Sequence, residues 1–600
     1  MAIVTLKKIT LCGLIMDKTW VLDELQSLGG THLIPLAGKG KKLDNATPVH
    51  NIEDALTALK YLQQCSKKRH QVRHSESFEF ASVVQEVLEL KNHLLDLLDQ
   101  REFLQQRIKE VSLWGDFTLA ADGQLQDYKL WFYIVPRRLM KLVHQSDQVW
   151  QMVNQTNTDA YVVVIAKDEP ASKAMPVPRT HVGSLSLSQL HKKLDNTELA
   201  IEDAYAKREY LTRWMSLIML NLAAYKNQSD LDNAHLLTRD EPDVFVVQSW
   251  VAEEDIPRVE KFSQAHQLAM LIEDPDGVEQ PPTLLKNTTT FAGGEEVVKF
   301  YQIPNYYSWD PSIIVFFSFA LFFAMILSDA GYAALFMGIL ALKWQRMGST
   351  TQGIRFRMLL LITLIFSAVW GIMVGSYFGF TPAPEQLAGR LHILDMNDSD
   401  TMMRISIFVG VLHIALSNLV KAYQLRHSTR SLSALGWALF VVAGFMLWLA
   451  QSSEQIILKQ VAYGLFVIAG CCLILFTSDR KIQKPLDLVL RLFDGLKSLT
   501  GITKIFGDVL SYMRLFALGL ASASLAITFN QLAVQVYHAM PGTGLLFSIL
   551  VLLMGHALNI ILGIMSGVVH GLRLNFIEFY NWSVSDEGYP FKAFSKKEGY

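Results

Sequence analysis

The sequence predicts a membrane all-α bundle of eight transmembrane helices, the last two long and tilted, preceded by an α+β cytoplasmic dumbbell with an antiparallel coiled coil. Three observations predict this class. Hydrophobic residues make up 51% of the 600 residues, yet charged residues become sparse only after about Asp310. Two heptad seams of similar length lie in the first half. Long apolar runs fill the second. A chain of this length exceeds a single core, so the reading divides it into a cytoplasmic arm over 1–300 and a membrane domain over 301–600. Within the arm, the near lobe takes 1–80 and 235–300, the coiled coil 81–112 and 187–225, and the far lobe 113–186.

The near lobe opens with short β-like runs, IVTLKKITLCGLI and THLIPL, and a helical stretch near Ile52 to Cys65. GKGKK at Gly38 lacks the GxxxxGK[ST] spacing of a phosphate loop and reads as a basic surface turn. The first seam runs through Val83, Val87, Leu90, Leu94, Leu97, Arg101, Leu104, Ile108 and Val111, with one polar break at Arg101. The second runs from Leu187 through Leu190, Leu194, Thr197, Ile201, Ala204, Arg208, Leu211, Met215 and Ile218 to Leu222, with its break at Arg208. At about 1.5 Å rise per residue such a rod spans on the order of 45 Å. The alternative is a helical hairpin packed inside one globule. Between the seams, KLWFYIVP and AYVVVIAKDE read as strands of the far lobe, and DVFVVQSWVAEED and LAMLIEDP as strands that complete the near lobe.

In the second half, spans begin near Pro311, Ala330, Phe356, Thr401, Leu432, Leu458, Ile502 and Thr543. Charge orients them. Loops with Lys343, Arg346, Arg355 and Arg357, then Lys421, Arg426 and Arg430, then Arg480, Lys481, Lys484 and Arg491 fall on one side. The loop from Thr381 to Asp400 carries Glu385, Asp395, Asp398 and Asp400 against Arg390. The positive-inside pattern then places both termini in the cytoplasm. The last two hydrophobic segments, Ile502 to Val536 and Thr543 to Phe579, are too long to cross a core of about 30 Å upright.

Composition excludes several classes. A formal net charge of -2 and a pI near 6.8, with no basic stripe, give no case for a nucleic-acid partner. Cys12, Cys65, Cys471 and Cys472 show no CxxC spacing, so neither a metal site nor a disulfide framework is expected. The N-terminal apolar run is broken by Asp17 and is too weak for a signal-peptide core. No nucleotide loop or nucleophile triad stands out, so neither a catalytic site nor a cofactor is expected in this chain.

The chemistry centres on Arg514, one arginine inside the apolar stretch SYMRLFALGLASASLA. An arginine near the bilayer centre costs roughly 2.5–3.5 kcal/mol on insertion scales, so it is paired, faces a wet cavity or is functional. Its helical neighbours Gly507, Ser511, Ala517, Ala521 and Ser522 make a face of small residues, suited to a surface that another transmembrane element passes closely. On the last helix, His556, Asn559, Ser566, His570 and Arg573 follow steps of three, seven, four and three along one polar stripe, with Glu578 beyond it. Such a stripe suits a water-filled path. The GxxxG pairs Gly563/Gly567 and Gly567/Gly571 read as packing features.

Several stretches resemble one family. DVLSYMRLFALGLASASLA resembles the arginine-bearing seventh helix of subunit a, also called subunit I, of V-type and archaeal-type rotary ATPases in their prokaryotic form. ALNIILGIMSGVVHGLRLNFIEFYN followed by GYPFKAF resembles its last helix and tail, and PPTLLKNTTTF, IPNYYSWDPS, ILSDAGY and GSYFGF its connector and early spans. The resemblance implies a non-catalytic membrane stator beside a rotating proteolipid ring, with two half-channels carrying H+ or Na+. It implies that Arg514 attracts the ring carboxylate, that Arg573 is the second arginine and that His570 is the histidine three residues before it. Ring, peripheral-stalk E/G-type subunits, central-stalk socket subunit and membrane lipids are the implied partners. Eukaryotic members carry a glutamate where this chain has Gly563 and a histidine where it has Ser522. Glu578, Asp508, His556 and Asp329 are candidates for half-channel polar groups. A secondary transporter or channel with a coiled-coil regulatory domain, and a purely structural anchor, are the other readings.

Overall fold

The structure is a computed structural model and describes residues 2–36, 52–73, 78–117, 128–170, 175–396, 398–478, 480, 485–584 and 586–597. The turn expected at Gly38, Lys481 and Lys484 lie outside the described residues, as do the last three residues of the tail. The chain divides into two compact units, one of residues 12–29, 33–247 and 594–600, the other of 1–11, 30–32 and 248–593.

The elements up to residue 273 are β1 (Leu6–Leu14), α1 (Lys18–Leu28), β2 (Thr31–Ile34), α2 (Ile52–Gln63), α3 (Phe80–Ser112), β3 (Lys129–Pro136), α4 (Met140–His144), β4 (Val149–Gln155), β5 (Asp159–Ala166), α5 (Leu187–Leu211), α6 (Met215–Leu237), β6 (Arg239–Asp240), β7 (Val244–Ala252), α7 (Ile256–Ala265) and β8 (Ala269–Glu273). One sheet has the order β2-β7-β1-β8, with β6 paired to β7, and the other is antiparallel β3-β5-β4. Strand β4 is absent from the sequence reading because its side chains are nearly all exposed and carry no apolar alternation; pairing to β5 forms it. Helix α1, also absent from the sequence reading, lies between two β-like runs and buries Val21, Leu22 and Leu25.

The first seam buries Val83, Val87, Leu90, Leu94 and Leu97 in one cluster with Ile201, Ala204 and Leu211 of the second. Leu104 and Val111 instead share a cluster with Leu190. The start of α3 therefore meets the end of α5 and the end of α3 meets its start, which is antiparallel packing. The second seam is not one continuous helix: a 3₁₀ turn, Thr212–Trp214, separates α5 from α6. The polar break at Arg208 has a local partner, since its guanidinium donates to the Tyr61 carbonyl at 2.6 Å and lies 4.0 Å from that ring.

The remaining helices are α8 (Ala292–Tyr301), α9 (Ser312–Leu327), α10 (Ala330–Met347), α11 (Thr351–Val374), α12 (Leu387–Arg390), α13 (Ser399–Gln424), α14 (Arg430–Ser453), α15 (Ile456–Phe476), α16 (Pro485–Ser498), α17 (Gly501–Leu510), α18 (Met513–Ala539), α19 (Gly544–Arg573) and α20 (Tyr580–Ser583), with a π-helical turn at Leu574–Phe579. Among the described residues six stretches are long and apolar enough to span a membrane: Thr351–Val374, Ser399–Gln424, Arg430–Ser452, Ile456–Phe476, Val489–Ala539 and Gly544–Ser583. The first two expected spans appear as α9, apolar but 16 residues long, and α10, whose end carries Lys343 and Arg346. They are separated at Ser328, in a left-handed conformation, and Asp329.

Helix α9 is the buried post of this unit, packed against α8, α11, α18 and α19. Its aromatic ridge meets the glycines of α19. A Cβ on Gly567 would lie 2.6 Å from the Phe323 ring, and Gly571 sits beside Phe319. The GxxxG spacing thus admits phenylalanine rings to the helix backbone.

Three separate motifs meet beside this helix. Thr283 of PPTLLKNTTTF donates its amide to the Tyr589 carbonyl at 2.8 Å and its hydroxyl to the Pro304 carbonyl at 2.7 Å, so connector, IPNYYSWDPS and tail are joined at one residue. The tail also covers His32, whose Nδ1 accepts from the Lys592 amide at 2.9 Å and whose ring lies 5.5 Å from Phe591. Burial lowers the His32 pKa below its ordinary value. A histidine held neutral contributes stability that is present above its unfolded pKa of about 6.5 and is lost as pH falls through the folded value. Protection factors of the Phe591 and Lys592 amides, taken after correction for the intrinsic pH dependence of exchange, are therefore expected to fall between pH 7.5 and pH 5, and His32→Phe to flatten that dependence.

Candidate functional site

Arg514 lies just past a tightened stretch of helix. Tyr512 donates its amide to the Val509 carbonyl, Arg514 to Ser511 and Leu515 to Tyr512, all three-residue bonds of 3.0–3.3 Å where an α-helix would use four. The cause is Tyr512. Its side chain is fully buried, with its hydroxyl 2.8 Å from His413 Nδ1 on α13 and its ring against Gly410, where a Cβ would lie 2.7 Å away. Two residues further along a helix is about 200° around, so anchoring Tyr512 inward turns Arg514 outward. Arg514 is half-buried, and its Nη1 is enclosed without a hydrogen-bond partner among the described residues.

The face around Arg514 is open. Gly507, Leu510, Ala517 and Ala521 are exposed, and a Cβ on Gly507 would meet nothing within 4 Å. Ser522 parts from this face. It is buried against α19, because eight helical positions carry it about 80° around from Arg514.

The charged end of α19 comes to the same region. Glu578 is 2% exposed, with Oε1 3.9 Å from Arg573 Nε and Oε2 without a hydrogen-bond partner among the described residues. Five α-helical residues would set the two about 140° apart. The π turn, with its wider i→i+5 repeat, brings Glu578 back beneath Arg573. Ser417 of α13 holds that turn by donating to the Phe579 carbonyl at 2.8 Å, while Asn575 within it accepts from Ser318 of α9 at 2.5 Å. His413 touches both irregular segments, since its ring also stacks on Phe579 at 4.4 Å and 14°. Arg514 and Arg573 lie within electrostatic reach of each other and of both His570 and Glu578. His570 Nδ1 is buried and has no hydrogen-bond partner among the described residues. Two guanidiniums against one carboxylate leave the cluster electropositive.

A second polar group lies further along α18. Ser522 Oγ donates to Asn559 Oδ1 at 3.2 Å, and Asn559 Nδ2 donates to the Tyr332 hydroxyl at 3.1 Å. That hydroxyl is 2.7 Å from His556 Nδ1, His556 Nε2 is 3.0 Å from Asn530 Oδ1, and Asn530 Nδ2 donates to the Phe378 carbonyl at 2.8 Å. Counted along α18 from Arg514, Ser522 lies about 12 Å away and Asn530 about 24 Å. Ser566 sits half-buried between this chain and the charged cluster.

Asp329 and Asp508 both have fixed partners. Asp329 is 3% exposed and accepts from the amides of Tyr332, Phe378 and Gly379 at 3.0 Å and from the Ser376 hydroxyl at 2.7 Å. It thereby locks ILSDAGY to GSYFGF and holds Tyr332 in place. Asp508 accepts from Trp582 Nε1 at 2.7 Å, joining α17 to α20. Tyr332, Asn530, His413 and Tyr512 are the polar residues that helix-face reasoning on Arg514 and the stripe passed over. Tyr332 stood in ILSDAGY and Tyr512 in SYMRLFALGLASASLA, while His413 and Asn530 lie on helices α13 and α18 away from the faces that were read.

No family model matches the chain. Among curated proteins it is similar to "V-type ATP synthase subunit I" of Chlamydia pneumoniae, at 28% identity over 602 residues, 87% of this chain and 86% of that one. The subunit of the same name from Borreliella burgdorferi is 23% identical over 99% of both chains. "A-type ATP synthase subunit I" of Methanocaldococcus jannaschii is 25% identical over 59% of this chain and 56% of its own. A crystal structure of the cytoplasmic N-terminal domain of subunit I, homolog of subunit a, of V-ATPase aligns with 44% of this chain and 99% of that one at 14% identity, with a TM-score of 0.21 that carries no fold argument. Similarity extending over most of both chains, in several relatives of one name, makes this protein a homologue of the V-type and A-type ATP synthase subunit I proteins.

Proposed function

We propose that this chain is the membrane stator subunit of a V/A-type rotary ATPase, facing a proteolipid ring and carrying the half-channels through which H+ or Na+ reaches it. The observation that carries this reading is Arg514, a guanidinium with an enclosed, unpartnered Nη1 on an otherwise open face of small residues. A buried polar atom without a partner in its own chain supports a partner outside it. A ring carboxylate that loses its proton or ion would supply the charge, and close passage would need the small side chains.

In this reading Arg573, His570 and Glu578 form the polar mouth on the cytoplasmic side. Ser522, Asn559 and His556, with Tyr332 and Asn530, line the half-channel from the opposite side, and Ser566 stands between the two. Asp508 acts through its bond to Trp582 as a brace. The chain contributes no catalytic site, and ATP chemistry belongs to other subunits of the complex.

The membrane domain, 301–600, counts α9 and α10 with the six longer stretches as eight spans, and its basic loops support cytoplasmic termini in a cell-membrane protein. The arm, 1–300, uses α3 against α5 and α6 as an antiparallel coiled coil between its two lobes. Such an arm suits docking of peripheral-stalk subunits, while the membrane side meets the ring and the central-stalk socket. The names of the relatives favour this reading over a secondary transporter or channel.

Purification from native membranes in mild detergent tests it. A small proteolipid ring and ATP-hydrolysing subunits are expected to co-purify with the chain. Ion transport by the chain alone, reconstituted without a ring, would instead support the transporter reading.

A further inference from the structure

A groove of about 570 Å³ lies among α8, α9, α10, α11 and α19, apart from both polar groups of the candidate site. Its wall is apolar, with Phe319 and Phe323 at the back and Ile339, Phe356, Leu359 and Val568 around them. Its volume lies within the usual range of about 300–1,000 Å³ for ligand pockets. Among the described residues, the charged side chains that line the groove are Glu296 and Lys343.

These two differ in what they have left to offer. Glu296 accepts from Arg355 Nη1 at 2.8 Å and lies 3.7 Å from Lys299 Nζ, so its charge is answered within the protein. Lys343 is exposed and makes no ion pair or hydrogen bond among the described residues. Arg346, one helical turn on, is exposed beside it. Lys299, Lys343, Arg346 and Arg355 outnumber Glu295 and Glu296 at this end of the groove. The apolar wall and cationic rim match the two ends of one molecule.

We propose that this groove binds an anionic phospholipid of the surrounding bilayer, with an acyl chain along the phenylalanine wall and the phosphate at Lys343. Basic pockets between transmembrane helices on the cytoplasmic side favour anionic head groups, and such a side is where the charge pattern of the α10–α11 turn places this rim. The site depends on membrane insertion of these helices and not on the rotary reading.

The test is to purify the complex from membranes containing phosphatidylglycerol and phosphatidylethanolamine, then to count the retained lipids by mass spectrometry. Wild type is expected to retain phospholipid enriched in phosphatidylglycerol. Ile339→Trp, which puts bulk into the groove from an exposed position, is expected to lose it. Lys343→Gln is expected to keep a lipid but to lower the phosphatidylglycerol-to-phosphatidylethanolamine ratio roughly fivefold, the effect of one near-surface charge. Both substitutions lie on exposed positions and are expected to leave the purified complex monodisperse. Retention by Ile339→Trp equal to wild type, a ratio unchanged in Lys343→Gln, or a groove filled only by detergent would each overturn the proposal.

Discussion

Arg514→Ala is expected to abolish ATP-driven ion uptake into sealed membrane vesicles while leaving the complex assembled. Removing one partner of a buried charge pair leaves the other uncompensated, at a cost of about 3 kcal/mol or more. As a barrier on each ring step, that slows transport by over a hundredfold. Assembly is expected to survive because Arg514 Nη1 has no hydrogen-bond partner among the described residues, and because Tyr512, Leu515 and Gly519 hold the inner face of the helix. Arg514→Lys keeps the charge but loses the fork of donors and the reach of a guanidinium, so it is expected to restore little. Coupled transport at the wild-type rate by Arg514→Ala would refute the assignment.

Asp329→Ala is expected to give the largest loss of stability in the membrane domain. Four donors converge on one carboxylate: three amides and the Ser376 hydroxyl. Each buried donor left unmet costs about 1–3 kcal/mol. Water that enters the emptied site offsets part of this, so the expected net loss is about 3–5 kcal/mol. The effect reaches the polar chain, since Tyr332 lies in the first turn of the helix that Asp329 caps and its hydroxyl bonds both Asn559 and His556. Asp329→Asn keeps an oxygen able to accept from Tyr332 and Phe378 but turns an amino group toward Gly379, so it should fall between. Thermal unfolding of the purified complex measures all three. Equal midpoints for Asp329→Ala and wild type would show that the carboxylate does not hold this junction.

Much of the architecture was legible because apolar periodicity is local. The four middle spans begin within about five residues of where the apolar runs placed them, since a membrane helix must satisfy its own backbone and tolerates few interruptions. The interior of the candidate site was less legible. Arg514 announced itself by its cost, but the direction it points is set by Tyr512 reaching His413 on a helix nearly a hundred residues away in sequence. The closeness of Glu578 to Arg573 depends on a π turn, and ideal helical spacing would have set them apart. Sequence placed Ser522 on the small face. Tertiary packing gave it to Asn559 instead. The roles of Tyr332 and Asn530 needed three helices and a loop to be brought together, which no single-helix pattern encodes.

The central claim is that the open small-residue face around Arg514 lies against a moving ring. Cysteine cross-linking tests this most directly. Ala521→Cys places a thiol on that face, two turns along α18 from the arginine. With a single cysteine introduced into the outer helix of the ring subunit, oxidation is expected to link the two chains and to stop ATP-driven transport, with reductant restoring it. Catalytic turnover before oxidation should spread the link over all ring subunits of a mixed-label ring. If no link forms at Ala521→Cys, while a cysteine at Leu553 on an exposed face of α19 links readily, the face assigned to the ring is the wrong one.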